Sequence, residues 1–244
     1  LSKLYVVVTD YGPHSFWLSD DVDKFFVGAE RIIPLMEKRG VPPEKITATG
    51  IPAVREFTHG LDAEELRRKY ELDPDRKTIF MLSGGFGVGP MAAMLASLCS
   101  SRSEIQVITV CGHNETAYNN INDLRPRLDY PVKLFGFTDK VAELMAVSDL
   151  MVTKAGGISV TEAMDMRLPM ILYASIPGQE SWNEELLVES GAAKKAKSID
   201  DIPRLVDEIL LNEQVYKDLK DGIEKIRRPH AAEDIVKTVL DEIE

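Results

Sequence analysis

The segment Asp149-Leu150-Met151-Val152-Thr153-Lys154-Ala155-Gly156-Gly157-Ile158-Ser159-Val160-Thr161-Glu162 changes character at its middle. Its first part is a short apolar run of the kind that fills a fully buried strand, and its second part has apolar positions at helical spacing. A Gly pair sits at the change. The pattern repeats downstream, where the apolar run 169–172 is followed by Pro177-Gly178-Gln179-Glu180 and a helical segment from Asn183. A helix start exposes unpaired backbone N–H groups and the positive end of the peptide dipoles, which suits an anionic ligand. Two such starts at the carboxyl ends of neighbouring strands suit a phosphorylated one. Glu162 falls about one helical turn past the glycines, where its carboxylate could accept hydrogen bonds from paired sugar hydroxyls. The segment therefore has the layout of a nucleotide-sugar pocket.

Outward from this segment the same alternation continues. Short β-branched or apolar runs at 4–8, 24–27, 46–48, 77–82, 105–110, 132–135, 150–152 and 169–172 predict strands. Amphipathic segments at 31–39, 63–69, 91–99, 117–124, 142–146, 160–166 and 183–188 predict the helices between them, and further helices are expected at 199–211, 214–226 and 231–243. Strands alternating with helices imply an α/β fold with a Rossmann-like parallel sheet covered on both faces. Pro, Gly and His break the pattern between Gly50 and Gly60, and Asp62 is a good N-cap with Glu65 three residues on.

Four further groups carry candidate chemistry. Ser83-Gly84-Gly85-Phe86-Gly87-Val88-Gly89-Pro90 joins a strand to a helix and allows close backbone approach to a ligand, although it matches neither the P-loop nor the dinucleotide fingerprint. Gly156, Gly157, Ile158 and Ser159 are the better diphosphate candidates, because the helix begins at once and Ser159 adds a hydroxyl. Gln179, Glu180 and Asn183 form a polar set at the next helix start that could fork hydrogen bonds to a hexose or simply cap the helix. Phe137 could stack on a nucleobase or be buried. His14, just past a strand end, is a candidate for a place near an acceptor, whereas His59, His113 and His230 read as structural or surface residues.

Bulk properties narrow the classes. A net charge of −11 argues against general nucleic-acid binding. The basic clusters at 67–69, 194–197 and 227–228 are short enough to be solvated surface. Cys99 and Cys111 make neither a disulfide framework nor a metal cluster, and the pairs Asp21/Asp23 and Asp73/Asp75 are weak metal-ligand candidates. No segment reaches the ~20 apolar residues of a membrane span.

Taken together, Val7-Val8-Thr9-Asp10, His14-Ser15-Phe16-Trp17, Thr49-Gly50-Ile51-Pro52, Gly84 to Pro90, Thr153 to Gly157 and Ile176 to Glu180 resemble the monogalactosyldiacylglycerol synthase and processive diacylglycerol glucosyltransferase family, which is of the family 28 type. The resemblance runs from Leu4 to about Ala193. It implies a GT-B architecture, of which this chain would be the carboxy-terminal half plus the end of the amino-terminal half. On that basis residues 1–55 would end an acceptor-side Rossmann-like domain, 56–226 would be the nucleotide-sugar-binding domain, and 227–244 a carboxy-terminal helix that can pack back on the first.

The resemblance further implies metal-independent, inverting transfer of a hexose from a UDP-sugar to a lipid acceptor such as diacylglycerol, with the UDP-sugar as substrate and no cofactor. Donor contacts would come from Gly156, Gly157, Ile158, Ser159, Glu162, Gln179, Glu180, Asn183, Phe137 and Gly85, and acceptor-side contacts from His14, Trp17 and Gly87. The general base would lie outside this chain, in an upstream region expected to reach the membrane surface, so the 244 residues alone would bind donor better than they turn it over. A cytoplasmic, peripheral location follows from the same likeness. Two alternatives stand beside it, transfer of N-acetylglucosamine to a polyprenyl-linked sugar and a non-catalytic nucleotide-sugar-binding module. The chain departs from many relatives in having Val54 where they carry Arg, with Arg55 next to it, and Ser19 where they carry His.

Overall fold

A computed structural model of the chain describes residues 3–14, 17–58, 60–82, 89–178 and 180–243. The expectations for Gly85, Gly87 and Gln179 fall outside these residues.

The apolar runs form two parallel sheets. In the first, β1 (Tyr5–Val7), β2 (Lys24–Val27) and β3 (Ile46–Ala48) lie side by side in chain order, with α1 (Ile33–Glu37) packed on them. Phe25, Val27, Ile32 and Met36 bury their side chains together as this sheet's core.

After α2 (Ala63–Lys69), whose first amides at Glu64 and Glu65 donate to the Asp62 carboxylate, the second sheet begins. It is built from β4 (Lys77–Leu82), α3 (Met91–Leu98), β5 (Ile105–Val110), α4 (Glu115–Leu124), β6 (Val132–Phe135), α5 (Val141–Ala146), β7 (Leu150–Thr153), α6 (Gly157–Asp165), β8 (Met170–Leu172), α7 (Ser181–Glu189) and β9 (Ala193–Lys195). The strand order is β6-β5-β4-β7-β8-β9, all parallel.

Side chains alternate along each strand, so Phe80 and Met151 point to one face and Ile79, Met81 and Val152 to the other. Leu144, Val160 and Leu187, from α5, α6 and α7, cover the first face. Leu95 of α3 covers the second, with Ile202, Val206 and Ile209 of α8 (Asp201–Leu210). Burial on both faces is why these strands read as nearly continuous apolar runs.

β9 was not foreseen. Lys194 and Lys195 read as solvated surface, yet Ala193 and Ala196 beside them are buried, and the two lysines pair with Glu208 and Glu184. As an edge strand it carries little of the apolar signal that marks β4 or β7.

Two connections tie the sheets together. Tyr11, Ile51 and Phe57 leave the first sheet and bury themselves in the core of the second. In return α9 (Glu213–Ile226) leads through Arg227 to His230 into α10 (Ala231–Ile243), and Glu242 pairs with Lys24 and accepts from the Tyr5 hydroxyl at 3.2 Å. Arg228 reaches Glu30 at 3.0 Å on the same crossing. Among the described residues, no helix is long and apolar enough to cross a membrane.

Candidate functional site

From β4 the chain moves to β5 and β6 on one side, then crosses over to β7, β8 and β9 on the other. The helices that follow β4 and β7 cover opposite faces of the sheet, and this switch point is where open α/β sheets leave a crevice for ligands. The chain places Lys154-Ala155-Gly156 there, followed by the first turn of α6.

Gly157 opens α6 for a steric reason. A Cβ on it would lie 2.0 Å from the Thr9 carbonyl oxygen and 2.8 Å from Asp10 Oδ1, so only glycine lets the loop after β1 press against the helix start. The N-cap, Gly156, has no side chain to cap the helix, and the first-turn amides have no carbonyl one turn earlier to bond. One of them, the Gly157 N–H, donates to the Asp10 carboxylate. Thr9, Asp10, Lys154, Gly156, Ile158, Ser159 and Glu180 surround a cavity of 250 Å³ over this helix start.

Charge in that cavity is mixed. Lys154 Nζ lies 2.6 Å from Glu180 Oε1, whose other oxygen accepts from the Ile176 N–H at 2.8 Å. Burial pushes the Asp10 carboxyl up, and the Glu180 charge adds to this against the hydrogen bonds from Asn183 and Gly157. Lys154 is the cation in this lining.

Ile158 and Ser159 also border a second cavity, of 640 Å³, that runs past Glu162 to Phe137 and Thr138. Burial, followed by the nearby Asp165 charge, pushes the Glu162 carboxyl up to about 7. Phe137 is 66% exposed and stacks on the His113 ring, with centroids 4.4 Å apart and planes within 15°. Sequence reasoning gave His113 a structural or surface role; it is exposed, and its pairing with Phe137 was not foreseen. Nothing in the linear order of Cys111-Gly112-His113 and Phe135-Gly136-Phe137 announces that two strand ends face each other.

On its other side the helix-start cavity shares Asp10 with a third cavity, also 640 Å³, formed by Gly12, Pro13, His14, Trp17, Pro177, Gly178 and Trp182. His14 and Trp17 thus stand together, with ring centroids 5.6 Å apart.

Asn183 departs from expectation. It was expected to fork hydrogen bonds to a hexose or to cap the helix; it is fully buried with its amide committed elsewhere: Oδ1 accepts from the Tyr11 N–H at 2.6 Å, and Nδ2 donates to Asp10 Oδ1 and to the Ala155 carbonyl, both at 2.8 Å. Glu180 is 4% exposed, and its carboxylate is held by Lys154 and the Ile176 amide. Asn183 therefore supports the crevice from behind, while Glu180 lines the helix-start cavity with its carboxylate paired to Lys154. The sequence reading also missed Tyr11, whose hydroxyl bonds Thr161 Oγ1 at 2.8 Å, and the role of Lys154 as the cation of the helix-start cavity. A lysine two residues before a Gly pair at a strand end was the available signal for the second.

The arrangement offers one anionic seat flanked by a carboxylate-and-ring cavity and by an aromatic cavity. Among the described residues, no group of three or more His, Cys, Asp and Glu side chains is placed to hold a metal ion.

Comparison with known proteins agrees with this geometry. Residues 90–238 match the model of the glycosyltransferase family 28 C-terminal domain, and residues 2–53 match that of monogalactosyldiacylglycerol (MGDG) synthase. The chain is 29% identical over 238 residues to a processive diacylglycerol beta-glucosyltransferase of Bacillus licheniformis and 32% identical over 239 residues to that of Bacillus mycoides. It covers 62% of the length of each, and each alignment takes in 98% of this chain.

Among solved structures it superposes on Acinetobacter baumannii MurG with a TM-score of 0.67 and 15% identity, covering 98% of this chain and 67% of that one. Anabaena HepE in complex with UDP gives 0.65 and 13%, covering 98% and 72%. The fold class is thus α/β with Rossmann-like parallel sheets, as in GT-B glycosyltransferases. The chain belongs to glycosyltransferase family 28, whose carboxy-terminal domain occupies residues 90–238.

Proposed function

We propose that this chain holds the donor side of an inverting glycosyltransferase that moves a hexose from a UDP-sugar to a lipid acceptor, with diacylglycerol or a related glycolipid as the acceptor class. The observation that carries the reading is the continuity of the three cavities around the start of α6: Ile158 and Ser159 border two of them, and Asp10 borders two. A UDP-sugar is a base, a ribose, a diphosphate and a pyranose in a row, and the cavities supply groups for them in that order.

Uracil would lie toward Phe137, the ribose hydroxyls would donate to Glu162, and the diphosphate would sit on the amides of Ile158 and Ser159 near Lys154. An acceptor oxygen attacks the anomeric carbon from the face opposite the diphosphate. The C1–O bond to the β-phosphate breaks with its electron pair. Amides and a cation preorganised around the leaving oxygens stabilise that charge without a metal. The acceptor proton passes to a base, and Asp10 and His14 are the described titratable groups lining the neighbouring cavity. The names of the Bacillus relatives favour diacylglycerol over a polyprenyl-linked sugar as the acceptor. Membrane contact during catalysis follows from such an acceptor, as an expectation about the whole protein.

Calorimetry with UDP tests the donor reading. Wild type should bind, and Glu162→Ala should lose about 1–3 kcal/mol through the missing hydrogen bonds to ribose. Equal affinities would return Glu162 to a purely structural place in α6, and no binding by wild type would overturn the reading altogether.

A further inference from the structure

The cavity over the start of α6 already contains charge of the sign it would receive. Its lining holds two carboxylates, Asp10 and Glu180, beside the cation Lys154. Glu180 Oε1 lies 2.6 Å from Lys154 Nζ and 3.6 Å from where a Cβ on Gly156, the N-cap of α6, would stand. An oxygen of the chain's own therefore sits against both the cation and the helix start.

The two carboxylates are held differently. Asp10 Oδ1 accepts from Asn183 Nδ2 at 2.8 Å, and the Gly157 N–H donates to the same carboxylate, so Asp10 is bonded to both α7 and α6. Glu180 has one oxygen on the Ile176 N–H at 2.8 Å and the other on the tip of a lysine. The first contact ties the carboxylate to its own turn, whereas the second is made by a long side chain that is still 21% exposed. An incoming anion can take Lys154 and leave Glu180 with its amide.

Such a pair weakens every anion that needs the lysine, in proportion to the fraction of the time that the lysine is engaged elsewhere. Free phosphate has no other contact to offset that loss. A phosphate carried on a nucleoside does, because base and ribose contacts in the adjoining cavity hold it beside the helix start at high local concentration.

We propose that Glu180 is a specificity-determining residue, which masks Lys154 with a built-in carboxylate so that the start of α6 admits a phosphate only when a nucleoside delivers it. The nucleoside part rests on the donor reading, whereas the masking of Lys154 is read from the two side chains themselves.

The test removes the charge and keeps the shape. Glu180→Gln retains an acceptor for the Ile176 N–H and takes away the competing carboxylate. Calorimetry should show UDP binding about tenfold tighter than in wild type, the order expected for releasing a close charge pair, with uridine unchanged. Glu180→Asp, whose arm is too short to keep the contact with Lys154, should gain about threefold and serves where the glutamine variant folds poorly. Adding Glu180→Gln to Lys154→Met should bring no gain in UDP affinity over Lys154→Met alone. Thermal melts read the same place without a nucleoside. Replacing chloride by inorganic phosphate at fixed ionic strength should raise the midpoint of Glu180→Gln more than that of wild type, and the general effect of phosphate on folding cancels in the comparison.

UDP affinity in Glu180→Gln at or below the wild-type value, an equal gain for uridine, or a gain that persists without Lys154 would overturn the proposal. So would phosphate that shifts both proteins alike. A wild type that fails to bind UDP, while phosphate still separates the two proteins in the melts, would overturn the donor reading and leave the masking of Lys154 in place.

Discussion

Asn183 Nδ2 donates to Asp10 Oδ1 at 2.8 Å, so a residue at the start of α7 is bonded to the loop that leaves the first sheet. The same side chain accepts from the Tyr11 N–H and donates to the Ala155 carbonyl, which immediately precedes the Gly pair. One buried carboxamide thus sets the position of Asp10, the loop before α6 and the packing of α7. Through these neighbours it holds the wall of the crevice.

Removing that carboxamide leaves the Tyr11 N–H and the Ala155 carbonyl buried without partners. Each unsatisfied buried group costs about 1–3 kcal/mol, so Asn183→Ala should destabilise the chain by roughly 2–4 kcal/mol. Urea unfolding monitored by circular dichroism checks this. Asn183→Asp keeps the acceptor for Tyr11 but sets a second carboxylate against Asp10, and it should recover stability as pH falls toward 4 and one of the two protonates. A variant equal to wild type at every pH would mean the loop is held by its apolar contacts alone.

Glu162 gives the site a pH dependence with a definite sign. Its carboxyl is pushed up to about 7 from the ordinary 4.5, first by burial and then by Asp165. The folded state therefore holds the proton more tightly than the unfolded chain does. The resulting stability is fully present below pH 4.5 and is lost as pH rises through about 7. Asp165, raised to about 6 from 3.8 chiefly by burial, adds a loss of the same sign in a lower window. Glu162→Gln should flatten the upper part of the stability curve between pH 5.5 and 8. In the proposed binding mode the ribose hydroxyls donate to the ionised carboxylate, so UDP affinity should rise through pH 7 in wild type more than in Glu162→Gln. Taking the difference between the two proteins removes the titration of the nucleotide itself.

Gly157→Ala tests the close approach at the helix start. The new Cβ would meet backbone, the Thr9 carbonyl at 2.0 Å, and backbone cannot swing aside as a side-chain tip can. Either the loop after β1 or the first turn of α6 must move, at a cost of about 1–3 kcal/mol. UDP affinity should fall about tenfold or more, since the donors of an anion site lose their arrangement when shifted. The control is Gly178→Ala, where a Cβ meets nothing within 4 Å but the φ of +84° strains any side chain. It should cost about 1 kcal/mol of stability with little effect on UDP, because αL backbone is disfavoured for alanine.

What could be read from the sequence, and what could not, divides along physical lines. The strands β4, β5 and β7 are buried on both faces, so their apolar runs announce them, and the Gly-bearing turns after β7 and β8 announce the helix starts. The place of Glu162 beside the crevice was legible because it follows the Gly pair by five residues on the same helix. The Asp10–Asn183 bond was not, since its partners are separated by 173 positions and their types, a carboxylate and a carboxamide, are equally at home in capping. The stacking of His113 on Phe137 failed for the same reason: strand order, not spacing, brings the ends of β5 and β6 together. Fold signals are local and periodic, whereas site contacts here are mostly made between elements that only the sheet topology makes neighbours.

Asp207 offers a test of stability away from the crevice. Although it is buried on α8, its carboxylate accepts from the Ser101 and Ser103 hydroxyls at 2.7 and 2.9 Å and from the Arg102 and Ser103 amides at 3.0 and 3.1 Å. Burial works to raise its pKa, but the hydrogen bonds from Ser101, Arg102 and Ser103 outweigh that and hold it below the usual 3.8. The stability it contributes is present above pH 3.8 and is lost as pH falls through the lower folded value. Asp207→Ala would leave two hydroxyls and the Arg102 amide of the turn between α3 and β5 without this partner, with the Ser103 amide keeping its 3.2 Å bond to Ser101 Oγ, and should cost about 2–4 kcal/mol at neutral pH. Asp207→Asn keeps one acceptor oxygen and should cost less. Both variants should lose less stability than wild type on acidification, because the group whose protonation contributes there is gone. UDP affinity should not change in either, as the turn lies at the opposite end of the sheet from Gly157; a parallel loss of binding would show that α3 transmits strain to the crevice.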